Sequence, residues 1–203
     1  MNLPVLARST SLVIQQQKEW GEILTGWDAK NRYAIGDGSG TPMLYAGEVS
    51  SGLGGFLARG FLKNSRPFTI EVRDAMSQVQ LVIRRPFTFF FSRIEITDAM
   101  GQRIGTVRQR FAFFARRFTV EDASGNEVAT LHGPFFRPWT FRVLVGDAEV
   151  GVIRKKWSGL GREMFTAADT FGLELGPTMS PELRPLCLAA TFLVDFVYFE
   201  KHG

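Results

Sequence analysis

"FTIEVRDAMSQVQLVI" (68–83) is followed by "SRIEITDAMGQRIGTV" (92–107), "RFTVEDASGNEVATLH" (117–132) and "FRVLVGDAEVGVIRKKW" (141–157). Each gives a short run alternating apolar and polar residues, a turn containing aspartate, and a second alternating run, which is the pattern of a β-hairpin half buried on one face. Asp74, Asp98 and Asp122 open the first three turns, where a short carboxylate can accept from the backbone two residues on, and Gly101 and Gly125 allow positive φ. An earlier copy fits "NRYAIGDGSGTPMLYAGE" (31–48), and a degenerate sixth fits "REMFTAADTFGLELG" (162–176). Six hairpins make about twelve strands, and repeats at this spacing favour a closed antiparallel sheet, because closure removes exposed edges. A barrel of that width cannot be filled by its own side chains.

The segment "LRPLCLAATFLVDFVYFE" (183–200) supplies what would fill it. Ser180 as N-cap, Pro181 at the first helical position and Glu182 in the first turn start a helix over 180–200. Apolar residues cover every face, so this helix is enclosed by protein or by lipid. Its uninterrupted apolar run, Leu186 to Val194, falls short of the roughly 20 residues of a spanning helix and is ended by Asp195, which favours enclosure by protein. The expected fold is all-β with one central helix: a closed barrel of about twelve antiparallel strands around a hydrophobic C-terminal α-helix. One domain spans 1–203, with 1–14 as a flexible N-terminal arm.

Lys and Arg outnumber Asp and Glu by 24 to 20, and the sequence pI near 9.5 favours anionic partners. Cys187 is the only cysteine, so no internal disulfide forms and a reducing compartment fits. "MNLPVLARSTSLVIQQQ" (1–17) has no apolar stretch long enough for a signal peptide, and the expected location is cytoplasmic. Enzyme chemistry is not encoded in any pattern found: His132 and His202 have no metal-ligand spacing, and there is no nucleophile elbow or phosphate loop. "GDGSG" (36–40) and "GLGG" (52–55) read as turns.

"KKWSGLGREMFTAADTFGLEL" (155–175) and "LAATFLVDFVYFE" (188–200), with "QQQKEWGEILTGWDAKNRYAI" (15–35), "RPFTIEVRD" (66–74) and "RRPF" (84–87), resemble the phospholipid scramblase family, within the tubby-like superfamily that includes the LURP-one-related proteins. The resemblance covers nearly the whole chain. It implies a twelve-stranded barrel around a hydrophobic helix, binding to anionic phospholipid at the cytoplasmic membrane face, and ATP-independent lipid movement. It also implies calcium at 167–178, "AADTFGLELGPT", where Asp169 and Gly172 fit a twelve-residue calcium loop and Glu174 could contribute. Ala167, Phe171 and Leu175 occupy other ligand places, and Thr178 replaces the terminal carboxylate. The ligand set is therefore degenerate, and no cofactor is expected from the residues themselves.

The resemblance also implies palmitoylated cysteine clusters and a proline-rich N-terminal tail, and neither is expected here. Where cysteine clusters would stand it has "LGGFLARGFL" (53–62), "FTFFFS" (87–92) and "FAFFARR" (111–117), rich in phenylalanine and mixed with arginine; the between-hairpin stretches are "RRPFTFFFSR" (84–93), "QRFAFFARR" (109–117) and "GPFFRPWTF" (133–141). The last three fall between successive hairpins and gather at one rim. Two readings stand: the rings enter the core and cap the lumen, or Phe87, Phe89, Phe90, Phe91, Phe113, Phe114, Phe135 and Phe136 enter a lipid headgroup layer while Arg84, Arg85, Arg93, Arg116 and Arg117 bond phosphate. "RKKW" (154–157) is either a solvated strand end or a headgroup site of Lys155, Lys156 and Trp157. Asp195 is either a structural hydrogen-bonding residue or a polar gate for headgroups. A soluble lipid- or protein-binding module is the alternative function. Nucleic acid is a weaker third, because the basic residues are dispersed.

Overall fold

The computed structural model describes residues 4–17, 27–49, 66–155 and 170–199. Twelve antiparallel strands close into a barrel in which every strand pairs with its sequence neighbours and the first pairs with the last. They are β1 (Ser11–Gln17), β2 (Lys30–Asp37), β3 (Pro42–Val49), β4 (Phe68–Asp74), β5 (Val79–Arg85), β6 (Arg93–Asp98), β7 (Arg103–Arg110), β8 (Ala115–Asp122), β9 (Glu127–Pro134), β10 (Thr140–Val145), β11 (Ala148–Lys155) and β12 (Thr170–Leu175). A short helix, α1 (Pro4–Arg8), precedes the barrel, and α2 (Leu183–Tyr198) fills it.

Five expected hairpins are present. The sixth differs: β12 pairs with β1, Leu12 opposite Leu173 and Ile14 opposite Phe171, while 162–169 lies outside the described residues. Residues 11–14, expected in a flexible arm, are thus part of the strand that closes the barrel, and Leu12, Val13 and Ile14 are buried. The arm reading failed because "SLVIQQQ" is too short to show a period by itself; of its two pairing partners, β2 follows in sequence, but β12 lies some 160 residues away, beyond any local pattern.

The turns follow the aspartates. Asp98 Oδ1 accepts from the N–H groups of Met100 and Gln102, both at 2.9 Å, and the Gly101 N–H bonds the Asp98 carbonyl at 3.0 Å. Asp37, Asp74 and Asp122 repeat the arrangement, with Gly40, Ser77 and Gly125 at the fourth place, all with positive φ. "GDGSG" is the turn between β2 and β3, as expected.

Alternation places Phe68, Ile70 and Val72 of β4 inside, with Thr69, Glu71 and Arg73 outside. A barrel crossing a bilayer on its strands shows an apolar band outward; here Glu71, Arg73, Glu95, Arg108, Glu121, Arg142 and Glu149 carry ion pairs on the outer wall. The helix is buried from Leu183 to Phe196 without a break. A helix of 16 residues with Pro185 in its first turn and three β-branched residues is marginal alone, so its stability comes from enclosure, at about 1.5–3 kcal/mol per buried large side chain. Gly105 lets it approach the wall: a Cβ there would stand 2.9 Å from Leu186 Cδ2 and 2.2 Å from the Glu121 carbonyl. The helix starts later than expected: its N-cap is Glu182 and not Ser180, and Pro181 and Glu182 form a turn before Leu183, although Ser180 Oγ still accepts the Leu183 N–H at 3.3 Å. No described helix is long and apolar enough to cross a membrane.

Arg184 was not marked by the sequence reading. Its Nη1 donates to the carbonyls of Leu6 (2.8 Å), Ala7 (3.2 Å) and Ser9 (2.7 Å), fastening the end of α1 to the first turn of α2.

Candidate functional site: an aromatic end tethered by arginines

In an up-and-down barrel alternate connections share an end. The β5–β6 (86–92), β7–β8 (111–114) and β9–β10 (135–139) loops therefore lie together, at the end where α2 finishes. The core-capping reading of their phenylalanines is overturned. Ten aromatic side chains are exposed there: Phe87, Phe89, Phe90 and Phe91; Phe111, Phe113 and Phe114; and Phe135, Phe136 and Trp139. Phe90 is 91% accessible and Phe136 is 94%. The lumen is already occupied by Phe192, Phe196 and Tyr198 of α2, which leaves these rings no interior to enter. They stack on one another instead, Phe87 with Phe89 and Phe111 with Phe113 both edge-on at 4.9 Å. An exposed apolar group of this size marks an interaction surface.

Arginine holds two of these loops in place. Arg85, expected at lipid phosphate, is only 1% exposed. It bonds the Arg66 carbonyl, Ser92 Oγ (2.8 Å) and Thr88 Oγ1 (3.3 Å), while its guanidinium stacks 4.3 Å over Phe196 of the helix. Arg116, also expected at phosphate, donates to the carbonyls of Pro138, Arg137 (3.1 Å) and Pro134 (3.5 Å) and lies 4.4 Å over Phe141. Burial lowers its pKa and raises that of Tyr198, whose ring is 5.2 Å away. Both arginines therefore bond the protein itself, Arg85 from the interior and Arg116 from the half-buried rim.

Lys155 is likewise turned inward. Its Nζ is 3.6 Å from Asp195 Oδ1 and 4.7 Å from the Phe199 ring centre, and Tyr33 donates to Asp195 Oδ2 at 3.2 Å. Asp195 thus has the structural partners that its position in an apolar helix requires. Lys156 and Trp157 lie outside the described residues. The outer wall below the loops presents Arg84, Arg93 and Arg117, with Arg108 and Arg110, which the sequence reading left unmarked because strand arginines read as ordinary outward positions.

The calcium segment lies partly outside the described residues. Glu174 is paired with Arg154 across β11 and β12, Thr178 is exposed beside a cavity of about 630 Å³ at the opposite end, and Asp169 is outside the described residues. Among the described residues no group of three His, Cys, Asp or Glu side chains is placed to hold a metal ion.

The scramblase family model matches residues 1–201. This chain belongs to the scramblase family. Phospholipid scramblase 1 of Mus musculus is 30% identical over 215 residues, covering 99% of this chain and 64% of the relative. Phospholipid scramblase 2 of Bos taurus is 30% identical over 212 residues, 98% of this chain and 71% of the relative. A yeast relative, altered inheritance rate of mitochondria protein 25 of Saccharomyces cerevisiae, is 26% identical over 233 residues, 95% of this chain and 71% of its own length. The chain thus spans about two thirds of the mouse scramblase.

Proposed function

We propose that this scramblase-family protein docks on anionic phospholipid at a cytoplasmic membrane face through its aromatic end, and that docking promotes ATP-independent movement of phospholipid between leaflets. The observation that carries it is the exposure of ten aromatic rings on three adjacent loops, above an outer wall bearing Arg84, Arg93 and Arg117. Full burial of a large apolar side chain contributes about 1.5–3 kcal/mol, so three rings in the headgroup boundary contribute about 5–9 kcal/mol before the costs of immobilisation. Basic residues near the surface add attraction to anionic lipid. The names of the relatives support lipid movement as the outcome. Since α2 is enclosed, that movement arises in this reading from disturbance of the headgroup layer by the rings, with no path along a spanning helix.

Purified protein is floated with phosphatidylserine-containing liposomes at low and high salt, with and without calcium, alongside a dithionite lipid-exchange assay on the same vesicles. Flotation with exchange supports the whole reading. Flotation without exchange reduces it to a peripheral lipid-binding barrel, and failure to float removes it.

A further inference from the structure

Between the β5–β6 and β7–β8 loops lies a cleft of about 370 Å³ lined by Thr88, Phe91, Ser92, Arg93, Arg108, Gln109, Arg110 and Phe111. Three guanidiniums thus meet at the foot of two aromatic loops. Arg93 and Arg108 stand directly opposite each other on β6 and β7, and Arg110 stands opposite Arg117 on β7 and β8. Like charges directly opposed across a ladder destabilise a sheet, and a local rule broken twice in adjacent strands marks a place kept for binding. Neighbouring carboxylates neutralise only part of the charge. Along this patch of wall Arg84, Arg93, Arg108, Arg110 and Arg117 face Glu95 and Glu121, five positive groups against two negative.

The arginines are also oriented. Glu121 accepts from Arg108 Nε at 3.0 Å and from Arg110 Nη2 at 3.3 Å, and Thr119 Oγ1 accepts from Arg110 Nε at 2.9 Å. Arg93 is held less completely, with Nη2 3.6 Å from Glu95 Oε1, and its buried Nε–H has no acceptor in the structure. A cleft wall with excess positive charge, one of whose half-exposed guanidiniums is held only by a 3.6 Å contact, calls for an oxyanion. Guanidinium forks match phosphate oxygens in pairs, and groups fixed beforehand lose little freedom on binding.

We propose that this cleft seats the phosphate of a phospholipid headgroup, with a phosphomonoester favoured over a phosphodiester because it brings the second negative charge that the arginines leave unbalanced. The proposal rests on the membrane reading above, since Phe91 and Phe111 flank the cleft and would place it at headgroup depth. Arg93 is the residue whose role is new here: its half-exposed guanidinium, held only at 3.6 Å by Glu95, is free to turn toward the phosphate.

Vesicles of phosphatidylcholine containing phosphatidic acid are compared with vesicles matched in charge by phosphatidylserine, using the full chain, Arg93→Gln and Arg93→Lys. The wild type binds the phosphatidic acid vesicles about tenfold more tightly, the worth of one charge-assisted bond, and Arg93→Gln falls to the level of the phosphatidylserine vesicles. Arg93→Lys recovers only part, because the fork is lost. Arg93→Gln keeps or raises the melting temperature, as relief of the opposition to Arg108 requires, so the loss is not one of folding. Equal binding to both vesicles by the wild type, or no change in Arg93→Gln, overturns the seat and leaves the membrane reading standing. If the wild type floats with neither vesicle, the membrane reading fails. Inorganic phosphate then decides the seat by itself: a rise in melting temperature seen in the wild type and lost in Arg93→Gln keeps an oxyanion site, and no rise overturns it. Tighter binding to single-stranded DNA than to either vesicle, abolished by Arg93→Gln, overturns the assignment to lipid.

Discussion

Lys155, the last residue of β11, places its Nζ 3.6 Å from Oδ1 of Asp195, three residues before the end of the central helix. Strand and helix are thereby joined by an ion pair just beneath the aromatic end, with Tyr33 of β2 as a third member. Asp195→Ala leaves a buried ammonium and a buried hydroxyl with a partner removed, and is expected to lower stability by about 3 kcal/mol in urea unfolding. Asp195→Asn keeps an acceptor for Tyr33 and is expected to cost less than half of that. It should also retain lipid exchange; normal stability with exchange abolished would instead identify Asp195 as a gate for headgroups.

The exposed rings make the opposite demand. Phe90→Ser combined with Phe136→Ser should leave the melting temperature nearly unchanged, because neither ring is packed in the core. The same pair should weaken flotation by at least about tenfold, since the loss of two inserted rings forfeits several kcal/mol of apolar burial. Unchanged flotation would move the membrane contact to another surface.

Arg184 is the least conspicuous of the structural charges and among the most consequential. Arg184→Ala removes the donor to three carbonyls at the end of α1. The expected loss is about 2–3 kcal/mol. Tryptic cleavage after Arg8 should rise at the same time, since α1 no longer docks, and unchanged proteolysis would show that the short helix is held by other contacts.

Cys187 reports on whether the helix stays inside. It is fully buried on α2, and burial pushes its thiol pKa up to about 12. At pH 8 almost no thiolate is present and no reagent can reach it. Ellman's reagent should therefore fail to react with the native protein, both alone and on phosphatidylserine vesicles, and should react fully in urea. Rapid labelling on vesicles would show that α2 leaves the barrel there, and would replace the headgroup-layer account of lipid movement with one that uses the helix.

Much of this molecule was legible along the chain because its information is local. The aspartate turns of Asp74, Asp98 and Asp122 announce themselves within five residues, and strand alternation at Phe68, Ile70 and Val72 needs no partner to be seen. The enclosed helix follows from apolar residues on all its faces together with a run too short to span a bilayer. Those features determined the barrel and what fills it. Tertiary structure decided the rest, because it depends on which groups meet across the sheet. Whether Arg85 faces lipid or Phe196 is set by its strand phase and by where the helix ends, and Arg116 points at the carbonyls of a loop some 20 residues away. The closing strand at Ser11–Gln17 needed its partner at Thr170–Leu175, and the cleft at Arg93, Arg108 and Arg110 needed the register that sets like charges opposite one another. Even the exposed phenylalanines were decided by competition for space: once Phe192, Phe196 and Tyr198 fill the lumen, the rings of the loops have only the outside left.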